Sequence, residues 1–131
     1  MTRIESQSTR VQKSAAEVYT FLSNFNNFEK LMPEQVTNWK STEDECSFTI
    51  SGMASLGMKI REKNPNSLIR VEKHGKAPFD FLFDCNIREQ GNECDVQLSF
   101  DADLNPMLKM MAVKPLENFL NMLVHKLKEV C

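Results

Sequence analysis

Phe79-Asp80-Phe81-Leu82-Phe83-Asp84-Cys85-Asn86-Ile87-Arg88-Glu89-Gln90, a Gly91-Asn92 pair, and Glu93-Cys94-Asp95-Val96-Gln97-Leu98-Ser99-Phe100-Asp101-Ala102-Asp103-Leu104 form the stretch on which the fold turns. Apolar and polar residues alternate on both sides of the Gly-Asn pair, which is the signature of a tight hairpin. With Gly91-Asn92 as the two turn residues, Gln90 faces Glu93, Ile87 faces Val96, and Cys85 faces Leu98. Phe83 then faces Phe100, Phe81 faces Ala102, and Phe79 faces Leu104. From Ile87 onward every one of these pairs is apolar on both sides. A slip of one residue would set each apolar side chain opposite a polar one, so turn chemistry and alternation select the same register. The other face carries Asp80, Leu82, Asp84 and Asn86 against Asp103, Asp101, Ser99 and Gln97, a row suited to water. This register also holds Cys85 and Cys94 apart, which argues against a disulfide between them.

The same period of two extends upstream to Val36. Candidate strands are Val36–Ser41, Cys46–Ser51, Met53–Lys63, Ser67–His74, Pro78–Gln90 and Asn92–Leu104. Turn-forming residues separate them: Glu43-Asp44, Ser51-Gly52, Asn64-Pro65-Asn66, Gly75-Lys76 and Gly91-Asn92. Connections this short imply an antiparallel meander. Gly57, inside a strand pattern, suggests a bulge or bend, or room for a ligand near the backbone. Before the meander, Thr2 to Gln12 reads as a first strand. Ser14-Ala15-Ala16-Glu17 is a capping box, and Val18, Phe21, Leu22 and Phe25 follow at helical spacing. A second short helix from Phe28 to Met32 is expected to stop at Pro33.

After Leu104 the period turns helical. Asn105 suits an N-cap and Pro106 a first helical position. Leu104, Leu108, Met111, Ala112, Pro115, Leu116, Phe119, Met122, Leu123, Leu127 and Val130 fall on one stripe of a helical wheel. Pro115 lacks a backbone donor and predicts a kink or break near Met111. Met110, Val113 and Val124 fall off the stripe and are candidates for an exposed patch or a homodimer contact.

Length and composition limit the function classes. The 131 residues, 41% hydrophobic and 26% charged, fit one domain spanning 1–131 with a real core. Net charge is -2 with both signs interspersed, so no basic footprint for nucleic acid exists. No apolar run approaches the roughly 20 residues that cross a bilayer, so no membrane insertion is expected. The N-terminus has no apolar signal core, and a cytoplasmic location is the expectation. Cys46, Cys85, Cys94 and Cys131 form no C-x-x-C pair, and four free thiols are expected in a reducing compartment.

Chemistry-bearing motifs are scarce. His74 and His125 have no neighbour at metal-ligand spacing, no G-x-S-x-G or glycine-rich phosphate loop occurs, and no metal is expected. His125 suits a dipole role near a helix C-terminus. Asp80, Asp84, Asp101 and Asp103 cluster, but on the face opposite the phenylalanines, so they read as a solvated row. Arg61, Arg70 and Lys73 are candidates for one polar handle inside a pocket, and Tyr19 is a candidate hydroxyl.

The order strand, two short helices, six-strand meander and long closing helix resembles the helix-grip superfamily, also called START-like or SRPBCC. Locally, Ser14-Ala15-Ala16-Glu17-Val18-Tyr19-Thr20-Phe21-Leu22-Ser23-Asn24-Phe25 resembles the family's passage from first strand to first helix. Asn105-Pro106-Met107-Leu108-Lys109-Met110-Met111, with Pro115-Leu116, resembles the start of its closing helix. The resemblance implies an α+β helix-grip fold: a curved antiparallel sheet of about seven strands wrapped around the C-terminal helix. It implies an apolar cavity between the two, entered near the short helices, which holds a small hydrophobic ligand without catalysis or cofactor. The expected wall is Phe81, Phe83, Phe100, Met111 and Phe119, with Phe25 and Met32 near the mouth; no catalytic residue is assigned. The alternatives are a cyclase- or dehydratase-type enzyme on the same fold, or an interaction domain with a filled core.

Overall fold

A computed structural model describes residues 2–51, 54–75 and 77–131. Gly52 of the Ser51-Gly52 turn, Met53 at the start of a candidate strand and Lys76 of the Gly75-Lys76 turn lie outside the described residues. The elements are β1 (Thr2–Glu5), β2 (Thr9–Val11), α1 (Ala15–Leu22), α2 (Phe25–Phe28), a 3₁₀ turn (Glu29–Leu31), β3 (Val36–Ser41), β4 (Glu45–Ile50), β5 (Ala54–Asn64), β6 (Leu68–Lys73), β7 (Phe81–Gln90), β8 (Glu93–Ala102) and α3 (Pro106–Val130). The strands form one eight-stranded antiparallel sheet. β3 to β8 pair in chain order, and β1 and β2 both add to the free side of β8. The sheet is open, with β3 and β1 at its two edges, and α3 packs along β1, β2 and β8. This is the α+β helix-grip architecture expected from the sequence.

The final hairpin has the expected register, with Phe83 opposite Phe100, Cys85 opposite Leu98 and Ile87 opposite Val96. Gly91 has φ +64 at the first turn position, as a type II′ turn requires. Asn66, with φ +64, follows Pro65 in the β5–β6 connection, and the Ser67 amide donates to the Asn64 carbonyl at 3.1 Å. That combination marks a type II turn.

Several expectations are corrected, three of them in the strands and the short helices. The single N-terminal strand is split in two, giving eight strands where about seven were expected. Glu5 pairs with Ser99 and Thr9 with Val96, so four steps on one strand match three on the other. The extra residue is accommodated at Ser6. Its hydroxyl accepts from the Leu98 amide at 2.9 Å, and its own amide donates to the Leu98 carbonyl at 2.8 Å. A polar Ser-Gln-Ser run cannot announce such a bulge, because its apolar alternation is too sparse to show the slip. The second short helix begins earlier than expected, as α2 at Phe25, because the Asn24 side chain caps it by accepting from the Asn26 amide at 2.9 Å. Finally, the water-facing row is not uniformly wet: Asp84 and Ser99 are buried. Arg70, on the adjacent β6, covers Asp84 with two parallel hydrogen bonds, Nε to Oδ1 at 2.9 Å and Nη2 to Oδ2 at 3.1 Å.

α3 runs unbroken through Pro115. Its cap is as expected, with Asn105 Oδ1 accepting from the Leu108 amide at 2.9 Å. The buried side is Ala112, Leu116, Phe119, Leu120, Leu123, Val124 and Leu127, a stripe turned by roughly 60° from the expected one. Val124 is therefore core rather than patch, while Met111, Pro115, Met122 and Val130 are exposed. Hydropathy ranks methionine with core residues, but α3 packs on β1, β2 and β8 with Leu120 and Val124 among its buried side chains.

Gly57 is required by a close approach of two backbones rather than by a bulge. A Cβ there would stand 2.0 Å from the His74 carbonyl oxygen, and the His74 amide donates to the Gly57 carbonyl at 2.9 Å. Two backbones approach more closely than any side chain permits. The β5 bulge lies further on, between Ile60 and Glu62.

Candidate functional site

Inward-pointing strand residues and the buried stripe of α3 leave a small gap between them. Phe48 and Ile50 of β4, Leu56 and Met58 of β5, and Phe83 and Phe100 of β7 and β8 form the sheet side. Leu116, Phe119, Leu120 and Leu123 form the helix side, and Phe28 and Met32 close one end. Edge-on packing of Phe28 against Phe83, at 6.4 Å between ring centres, ties that end to the sheet. The cavity measures about 30 Å³ and its wall is apolar throughout. Such a volume exceeds the roughly 10–15 Å³ needed for one water, but a water there would find no polar partner.

Of the residues expected at the site, Phe83, Phe100, Phe119 and Met32 meet at this cavity. Phe81 and Phe25 are buried beside it without lining it: Phe81 stacks on Phe100 at 4.8 Å, and Phe25 packs edge-on to Phe28 at 5.1 Å. Met111 stands apart, 68% exposed on the outer side of α3. The sequence reading set Leu116 and Leu123 on the inward stripe without assigning them to the wall, and it gave no place there to Phe48, Ile50, Leu56, Met58 and Leu120. Their alternation on β4 and β5 and their helical spacing on α3 were visible signals.

Among the described residues, nothing polar lines the gap. Arg61 pairs with Glu72 at 3.9 Å, Arg70 with Asp84, and Lys73 with Asp80 at 2.8 Å, all in outer ion pairs. His74 lies 3.6 Å from Glu45, and His125 lies 4.0 Å from Glu129, both on the surface. Trp39 stacks on Phe48 at 5.2 Å and donates from Nε1 to Ser41 Oγ at 3.0 Å. Among the described residues no cluster of His, Cys, Asp or Glu is arranged to hold a metal. The four cysteines are free. Burial pushes the Cys46 thiol up to about 12; burial, aided by Asp84, raises Cys85 too. Thiols held protonated in this way make poor nucleophiles.

Met32 has a second face. With Leu31, Pro33 and Met122 it lines an outer groove of about 540 Å³ that also takes in Gln7, Asn121 and Lys126. The side chain thus lies between the outer groove and the interior gap.

A START superfamily protein from Mycobacterium smegmatis superposes on this arrangement with a TM-score of 0.71, over 97% of this chain and 94% of that one, at 15% identity. The chain has a START-like helix-grip fold. Two further helix-grip likenesses are the protein XoxI from Bacillus cereus and norcoclaurine synthase from Thalictrum flavum. XoxI gives a TM-score of 0.78 at 14% identity, over 98% of this chain and 94% of that one. The synthase gives 0.76 at 13% identity, over 98% and 85%. No family model matches the chain, and no curated protein matches it in sequence. At these identities the likeness concerns the helix-grip fold itself, which hosts both binding and catalysis.

Proposed function

We propose that this helix-grip domain binds a small, compact apolar molecule between its sheet and α3, without catalysis or a cofactor. The observation that carries the reading is the wall of the interior gap, which is apolar on every side. A ligand there gains about 25 cal/mol for each Å² of apolar surface buried, before association costs. A polar group would lose its hydrogen bonds to water with nothing in exchange. At about 30 Å³ the gap is far below the roughly 300–1,000 Å³ of ordinary ligand sites, so binding requires side chains to move. Met32 and Met58 are the unbranched, adaptable ones in the wall, and Met32 already borders the outer groove. The enzyme alternative needs polar groups converging inside, as a synthase on this fold would; here the polar candidates are engaged in outer ion pairs. A cytoplasmic location suits four free thiols, three of them buried.

The small gap supports one competing reading, a filled core whose work is done by the surface. Titration with the apolar fluorophore N-phenyl-1-naphthylamine, together with native mass spectrometry of the purified protein, separates the two. Ligand binding predicts a saturable signal, displaced by apolar competitors and abolished in Leu120→Trp, whose ring occupies the gap. The filled core predicts no signal in the wild type and no co-purified small molecule, and that result would sink the ligand reading.

A further inference from the structure

α3 folds back along the strand that precedes it. Only Asp103 to Asn105 separate β8 from α3, and the helix packs on β8 and on its partners β1 and β2. The amide of Gln7, between β1 and β2, donates to Asn121 Oδ1 at 2.8 Å. From that contact the helix advances about 15 Å to Cys131, and the chain from Gln7 advances about 13 Å to Val11. Both run opposite to β8, so Cys131 arrives level with Val11, the residue that pairs with Cys94. Helical phase turns Cys131 inward. It stands four residues beyond Leu127 and seven beyond Val124, both buried, and it packs partly covered on the core. Cys94 is fully buried on the sheet side of the same contact. Burial first, and then the nearby Cys131, push the Cys94 thiol up. Burial raises Cys131 as well, opposed by Lys13 and aided by Glu17. Both thiols therefore flank the corner where β2 leads into α1. The other two cysteines are out of reach. Cys85 stands on β7 four positions from Glu89, the residue opposite Cys94, which is about 13 Å along the strand. Cys46 lies on β4, four strands away from β8.

We propose that Cys94 and Cys131 form a peroxide-responsive disulfide that ties the end of α3 to the sheet. Cys131, the more accessible of the two, reacts first. A peroxide oxidises its thiol to a sulfenic acid and is itself reduced, and hydrogen peroxide so leaves one water. The Cys94 sulfur then attacks the Cys131 sulfur. The S–S bond forms as the S–O bond breaks, and the hydroxyl leaves with the Cys94 proton as a second water. A disulfide needs its Cα atoms within about 7 Å. Cys131 lies just past α3, its amide donating to the Leu127 carbonyl at 3.0 Å, so adjustment of the last turn brings the sulfurs together while the buried stripe stays in place. Both thiols are held protonated rather than activated, so the pair stays reduced at rest and answers to sustained peroxide. The bond does not depend on the interior gap being a ligand site.

Treatment of the reduced full chain with hydrogen peroxide tests the proposal. Remaining thiols are then blocked with iodoacetamide in denaturant, and the chain is digested for mass spectrometry. The expected product is a linked peptide pair carrying Cys94 and Cys131, with Cys46 and Cys85 alkylated. Closing this loop should raise the unfolding temperature by about 10 °C, and dithiothreitol should reverse the rise. Cys131→Ser should lose both the link and the rise. Cys94→Ala removes the attacking sulfur, so its Cys131 should persist as a sulfenic acid and be trapped by dimedone. Cys131 driven to sulfinic acid beside a free Cys94 thiol would overturn the proposal. So would a bond between the Cys131 residues of two chains, a link to Cys46 or Cys85, or four thiols left intact by peroxide.

Discussion

At the scale of single residues, the outer face of the sheet is where sequence reading and structure part. Asp84 looked like one of four solvated carboxylates. In the structure its side chain is 8% exposed and held bidentately by Arg70. Alternation reports which side of a strand a residue is on, but not what an arginine on the next strand lays over it. Arg70→Ala should strand a covered carboxylate and cost about 1–3 kcal/mol in urea unfolding. Arg70→Ala combined with Asp84→Ala should recover part of the loss. The Cys46 thiol gives a pH-dependent counterpart. Burial lifts it from about 9 to about 12, so above pH 9 the unfolded chain releases a proton that the folded chain retains. Its contribution to stability is complete below pH 9 and is lost as pH rises toward 12. Cys46→Ala should flatten the alkaline limb of unfolding temperature against pH between those values. An unchanged alkaline limb would show that Cys46 does not contribute.

At the scale of elements, the β7–β8 hairpin was fully legible. Its alternation and its Gly-Asn turn independently demand the pairing of Phe83 with Phe100 that the structure has. Phe83→Ala should cost about 3–5 kcal/mol and enlarge the gap it lines, so apolar probe binding should rise as stability falls. α3 was legible in extent and in cap but not in rotation. Four of the seven expected site residues reach the gap; Met111 fails because hydropathy cannot tell a methionine bound for the core from one bound for the surface. Only the packing of the helix against the sheet decides that. The helix also tolerates Pro115 on its exposed side without a break. Pro115→Ala should restore a backbone donor and raise stability by about 1–3 kcal/mol. A neutral or destabilising result would mean that the proline ring makes packing contacts that offset its backbone cost.

At the scale of the whole molecule, the order of elements carried the architecture. Short turns between β3 and β8 allow only a meander, and a sheet with one apolar face next to an amphipathic helix has one partner to bury it against. The interior gap was not legible. Its size is what is left after Met32 and eleven side chains from six elements have packed, and no spacing in the chain encodes that difference. The register of the far edge was equally hidden, since Ser6 makes its bulge with groups almost the whole chain away.

That distant edge has a consequence for how the protein comes into being. Thr2 pairs with Ala102, so on the ribosome the first strand emerges long before its partner exists. The meander can assemble hairpin by hairpin as it is synthesised, but β1 and β2 must wait, unpaired, for β8. α3 rests on those same three strands and cannot seat until they have joined. Contacts this far apart in sequence slow folding and leave strand edges open to other chains. The late step in refolding should therefore be closure of the N-terminal segment, and a nascent chain halted before β8 should be the aggregation-prone species.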